Sequence, residues 1–147
     1  MHSFTSNFFK ISFFTFFHLF LFINYSFSDH LEVKVTNFQD ATSPIYVWGY
    51  DRKFYFEEGS APLFMVGETD INNFNQINLR AFPHMVIGLF AFQDIDQNGE
   101  FSKDFKGDPI EPYGFSLNPQ EEYQNIVFEN FAFDMDKFSQ MEIQLKK

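Results

Sequence analysis

Eight consecutive residues, Met85 to Phe92, carry no polar side chain, and the next acid, Asp94, opens a run of acids and amides. An apolar run of that length holding Val, Ile and Phe reads as a central β-strand buried on both faces. A chain built around such a strand must cover both of its sides. Two further segments show what surrounds it. Leu31-Glu32-Val33-Lys34-Val35-Thr36 and Met141-Glu142-Ile143-Gln144-Leu145-Lys146 alternate apolar and polar, which marks strands with one buried face. They are the expected first and last strands.

Other segments follow the same logic. Ile45 to Tyr50 is β-branched and aromatic, and Phe54-Tyr55-Phe56 is expected to extend it or form a short strand. Glu57 to Asp70, punctuated by Gly59, Pro62 and Gly67, reads as an irregular crossover. Asn75 to Arg80 is a half-buried strand, and Ile126 to Met135 an aromatic one, with a helical turn between Glu121 and Lys137 as its alternative. No long segment holds a 3.6-residue period. The expected fold is all-β: an antiparallel β-sandwich of immunoglobulin-like or transthyretin-like type, with about seven strands and a long acidic loop.

The first 28 residues differ from the rest. One cation, Lys10, precedes the apolar run Ile11 to Ile23, and Ser26-Phe27-Ser28 supplies small residues before a cut. This is the pattern of a cleaved signal peptide, so residues 1–28 are expected to be a leader and 29–147 one domain, periplasmic or secreted, with no membrane span after cleavage. The remainder keeps 9 of the 10 basic residues and all 20 acidic ones. Such a charge repels nucleic acid and suits cations or basic partners. With no cysteine, disulfides, thiol catalysis and cysteine–zinc sites are excluded.

The chemistry concentrates between Asp94 and Ser116. Asp94, Asp96 and Asn98 stand at alternate positions, and Gly99 permits a sharp turn. Calcium takes ~6–8 oxygen ligands, and this spacing points three side-chain oxygens into one loop. Glu100 adds a backbone carbonyl and Asp104 a further carboxylate. The run resembles the first half of an EF-hand loop, but Phe105 stands where the closing glutamate belongs, and a strand precedes it. A metal-free turn reads from the same letters, because Asp and Asn form Asx-turns and Asn-Gly favours hairpins. Pro109, Glu111, Tyr113, Gly114, Phe115 and Ser116 join Gly99 as the expected binding loop. There Tyr113 and Phe115 either pack the loop on its own core or present a binding face, and Glu111 either reaches the same cation or is a solvated acid.

The run Asp94 to Gly99, followed by Gly107-x-Pro109-x-Glu111-x-Tyr113-Gly114-Phe115-Ser116-x-Asn118, resembles the signature of a bacterial exported family catalogued as domain of unknown function 2141. The resemblance implies a signal peptide, a buried strand leading into the acidic loop, and no established activity. Gln93 stands where the family commonly has histidine, and Ser102 where it has aspartate. Met85-Val86-Ile87-Gly88 replaces a Gly-x-Tyr-Ala opening.

The expected function is a non-catalytic binding or accessory module, with calcium ordering the loop and an envelope protein or glycan as partner. The first alternative is a carboxylate-dependent hydrolase acting on carbohydrate, since loop acids can form a catalytic pair. The second is a structural envelope protein. No Gly-x-Ser-x-Gly elbow, His-Glu-x-x-His helix or phosphate-cradling glycine loop is present.

Overall fold

The computed structural model describes residues 30–57, 59–68, 77–80 and 84–147. The expected leader and its cut at Ser28 lie outside the described residues. Among the described residues, eight strands form two sheets: β1 His30–Thr36, β2 Ile45–Tyr50, β3 Phe64–Glu68, β4 Ile77–Arg80, β5 Val86–Gln93, β6 Tyr113–Phe115, β7 Ala132–Asp134 and β8 Gln140–Gln144. One sheet runs β4-β1-β8. The other runs β3-β2-β5-β6, with β7 placed beside β6 along the same edge of β5. All pairs are antiparallel except β1 with β8, which is parallel. The molecule is the all-β sandwich expected. Among the described residues, no helix is long and apolar enough to cross a membrane.

Strand alternation builds the core between the sheets. Leu31, Val33 and Val35 from β1 meet Ile143 from β8, Ile45 and Val47 from β2, and Ile87, Leu89 and Ala91 from β5. The opposite face of β5 is also buried, as its unbroken apolar run requires. There Phe90 and Phe92 pack with Tyr50, Tyr113, Phe115, Phe128 and Phe131 in a second, aromatic core. Two short helices, α1 Lys53–Glu57 and α2 Phe128–Phe131, help to roof it. Gly88 makes this possible: a Cβ there would lie 2.3 Å from the Phe131 ring.

Gly114 closes the sandwich on one side. A Cβ there would stand 2.6 Å from the Gln144 carbonyl oxygen, so only glycine lets β6 lie this near β8. Across that gap the Tyr113 and Lys146 backbones exchange two hydrogen bonds, of 2.9 and 2.7 Å, stitching the two sheets together.

Three segments depart from the expected elements. Residues 54–56 belong to the helical turn α1, whose Phe56 ring lies 4.8 Å from that of Phe131. The crossover contains the paired strand β3, because Phe64 and Val66 reach the inner core while Gly67 leaves room for the Tyr46 ring. The aromatic segment from Ile126 divides. Phe128 and Phe131, three apart, share the buried side of α2, and Phe133 turns to the inner core on β7.

Candidate functional site: the acidic loop

The loop begins where β5 ends, at Gln93, which is fully buried. Its Oε1 accepts from Gln39 N at 2.7 Å, and its Nε2 donates to the Asp40 carbonyl at 2.8 Å. Asp94 N donates to the Pro44 carbonyl at 2.9 Å. The β1–β2 connection and the acidic loop are thereby fastened together at one end of the sandwich.

Asp40 organises that connection. Its Oδ1 accepts from Thr42 N and Ser43 N, each at 2.7 Å, and its Oδ2 from Ser43 Oγ at 2.8 Å. The Ser43 and Thr42 amides favour the ionised form and hold the carboxyl at about 2, below its ordinary 3.8. A depressed value contributes stability that is present above the unfolded pKa and lost as pH falls through the folded one. The folded protein is therefore expected to lose stability between pH 3.8 and about 2. Asp40→Asn should flatten that part of the curve in urea unfolding; an unchanged slope would refute the assignment.

The first turn of the loop is drawn around two carboxylates. Asp94, 1 % exposed, accepts from Asn98 N at 3.1 Å on Oδ1 and from Gly99 N at 2.8 Å on Oδ2. Asp96 accepts from Asn98 N at 3.2 Å and from Ser102 Oγ at 3.0 Å. Asn98 Oδ1 accepts from Glu100 N at 2.7 Å, and Gly99 turns the chain at φ 80°. The Glu100 side chain is exposed.

A second turn is nested beyond the first. Ser102 to Ile110 forms a hairpin closed by Ile110 N to Ser102 O at 3.2 Å and Asp104 N to Asp108 O at 2.8 Å, with Pro109 bridged to Lys103. Asp104 heads this turn, accepting from Lys106 N and Asp108 N at 2.8 and 2.9 Å. Phe105 stands at the tip, 93 % exposed.

Glu111 joins the two turns. It is 2 % exposed, so the solvated-acid reading does not hold. Oε1 accepts from Ile95 N at 2.8 Å and Oε2 from Ser102 N at 2.9 Å. Burial raises its pKa, with the Asp96 charge adding to the rise, while the Ser102, Ile95 and Asp96 amides oppose it. Asp94, Asp96 and Glu111 each offer one oxygen, and all three oxygens lie within 4.8 Å of one another. Oxygens sharing one calcium at ~2.3–2.6 Å stand at most about 5 Å apart, so the three fit a single hard cation. Among the described residues, none of the three forms an ion pair. Asp104, Glu100 and the Asn98 side chain are not in this trio; Asn98 adjoins it through Asp96, its Nδ2 donating to Oδ2 at 3.1 Å.

The rest of the expected binding loop is interior. Tyr113, Gly114, Phe115 and Ser116 are buried. Ser116 Oγ donates to the Phe131 carbonyl at 2.6 Å and accepts from Leu89 N at 3.0 Å, linking β5 to α2. Asn118 extends the linkage: Nδ2 donates to the Glu142 carbonyl and Oδ1 accepts from Gln144 N, both at 2.8 Å. The sequence reading notes Gln93 only as standing where the family commonly has histidine, without its partners, and does not single out Asp40. Asp40-x-Thr42-Ser43 carried an Asx-turn signal; a glutamine ending an apolar strand carried none.

Fold and loop together define a small two-sheet β domain with an acidic, doubly turned loop closing one end. Residues 33–144 match the family model described as "Uncharacterized protein conserved in bacteria (DUF2141)", and the chain belongs to that family. No curated protein and no solved structure matches it.

Proposed function

We propose that this chain is an exported, non-catalytic binding or accessory module whose loop from Asp94 to Glu111 is held by calcium. The observation that carries the reading is the convergence of three carboxylate oxygens within 4.8 Å. Each carboxylate oxygen that accepts one N–H keeps a second lone pair. A divalent cation would use those lone pairs and neutralise charges that the backbone amides only partly compensate. Extracellular calcium modules work at weak, roughly 10⁻⁴–10⁻³ M, affinity, which a partly exposed site of this kind suits. The leader-like composition of residues 1–28 supports export.

A paired-acid hydrolase needs an acid free to meet a substrate. Asp94 and Glu111 are 1 % and 2 % exposed, and both oxygens of each are held by backbone amides.

Saturating calcium is expected to stabilise the folded protein by about 1–3 kcal/mol through mass action. That corresponds to a rise in Tm of several degrees, at roughly 2–8 °C per kcal/mol for domains that bracket this size. Asp94→Ala with Asp96→Ala should remove the rise, and native mass spectrometry should show one calcium lost to chelator. A wild-type Tm indifferent to millimolar calcium sinks the proposal.

A further inference from the structure

The acidic loop is also one wall of a cleft. On the outer face of the five-stranded sheet, a cavity of about 560 Å³ opens between residues 99–103 and residues 59–62. Its volume lies within the ~300–1,000 Å³ of ligand pockets. Trp48 and Phe90 come from the sheet, Phe101 from the loop and Tyr123 from the segment before α2. Glu100 and Lys103 stand exposed among them.

We propose that this cleft binds a neutral polysaccharide chain, with sugar rings laid on Trp48, Phe101 and Tyr123 and hydroxyls meeting Glu100 and Lys103. The proposal deepens the binding-module reading and rests on it.

The aromatic arrangement supports it. Trp48, the chain's one tryptophan, meets Phe90 and Phe92 edge-on at 5.9 and 5.0 Å and stays half-buried at the cleft. Phe101 and Tyr123 lie 5.5 Å apart and are likewise half-buried. Aromatic residues fixed by such contacts present apolar surface whose ordering is already met by folding, which lowers the cost of binding. A pyranose offers a matching C–H face together with hydroxyls that both donate and accept.

Charge narrows the ligand class. Among the described residues that line the cleft, one offers a carboxylate and one an ammonium, and this pair favours neither net sign by itself. Lys103 Nζ already lies 4.7 Å from the Tyr123 ring centroid, which places a donor beside an apolar platform. Anionic ligands meet the formal charge of −10 and the carboxylates Asp94, Asp96 and Glu111 in the wall's own loop. An acyl chain would leave the hydrogen-bonding groups unused.

Trp48 makes the test direct, since all tryptophan fluorescence arises in the cleft. Cellohexaose, xylohexaose, chitohexaose, a heparin oligosaccharide and a proline-rich peptide are titrated into the purified protein, with calcium and with chelator. At least one neutral oligosaccharide is expected to shift the emission, with micromolar-to-millimolar affinity confirmed by calorimetry. Trp48→Ala should weaken that binding by about tenfold or more, near 1.4 kcal/mol. Lys103→Ala, an exposed change that leaves the fold intact, should weaken it severalfold, and Phe105→Ala at the hairpin tip should not. Absence of binding by every neutral oligosaccharide, preference for heparin or the peptide, or binding indifferent to both cleft variants overturns the proposal. Saccharide binding that persists in chelator, with no calcium shift in Tm, keeps the cleft and removes the calcium reading. A calcium shift without saccharide binding does the reverse.

Discussion

Phe131→Ala is expected to destabilise the domain by about 3–5 kcal/mol, the cost typical of truncating a buried phenylalanine. Phe131 is fully buried, with the Phe56 and Phe115 rings each 4.8 Å away and the Phe128 ring 5.6 Å away. These rings come from α1, β6 and α2, so one truncation removes the contact that gathers three elements onto β5. The space left cannot close easily, because Gly88 beneath has no side chain to move into it. Whole domains have only about 5–15 kcal/mol of stability, so a large fraction should be lost. Phe105→Ala provides the control, since that ring is 93 % exposed. Urea unfolding of both variants checks the claim. A Phe131→Ala midpoint near that of Phe105→Ala would show that the outer aromatic layer contributes little to stability.

Glu111→Gln is expected to cost about 1–2 kcal/mol, an unsatisfied buried donor offset in part by the carboxylate's own burial cost, although it removes only a charge and changes almost no volume. Both Glu111 oxygens accept backbone amides, at 2.8 and 2.9 Å. An amide side chain has one oxygen, so its NH₂ must face either Ile95 N or Ser102 N, donor against donor. A buried donor left unsatisfied costs roughly 1–3 kcal/mol, and bonds to a charged acceptor are worth more than neutral ones. The native carboxylate also has a burial cost that the amide lacks, seen in its raised pKa. Its sign is fixed by linkage: a carboxyl raised on folding favours the fold below its unfolded pKa, and that contribution is lost as pH rises through the folded one. The deficit of Glu111→Gln should therefore shrink as pH rises through that window. The variant should also lose the calcium-induced rise in Tm. Thermal melts across that range check both; a variant as stable as wild type, with calcium response intact, would show that Glu111 does not join the turns.

Much of the frame was legible because alternation and apolar runs report burial directly. Leu31 to Thr36, Met141 to Gln144 and the run into Gln93 are strands for the reasons their patterns give. Alternation says which face is buried but not which strand lies alongside, so the parallel pairing of β1 with β8 was not readable. Nor was β3, whose Phe64 and Val66 alternate over too few residues to stand out beside Pro62 and Gly67. In the loop, the contacts from Asp94 to Gly99 are local and were spelled by residue type. Glu111 was different. Its bonds to Ile95 and Ser102 depend on the hairpin between them returning the chain to its start, and no spacing rule encodes that return. The same holds for Ser116, whose partners lie on Leu89 and Phe131.

The parallel pairing of β1 and β8 has a directional consequence. Both strands run toward the end where Gln93 grips Gln39 and Asp40. A chain entering at His30 therefore arrives at the opposite end, about 23 Å away at ~3.3 Å per residue of strand. Anything that holds the domain by that entry, whether a tether, a surface or a purification tag, leaves the acidic loop facing outward. The last residues lie at the loop's end of the sandwich, where Lys147 Nζ reaches Gln39 Oε1, in the β1–β2 connection, at 3.4 Å. Attachment there would crowd the loop, so the entry at His30 is the handle that leaves it free for a partner.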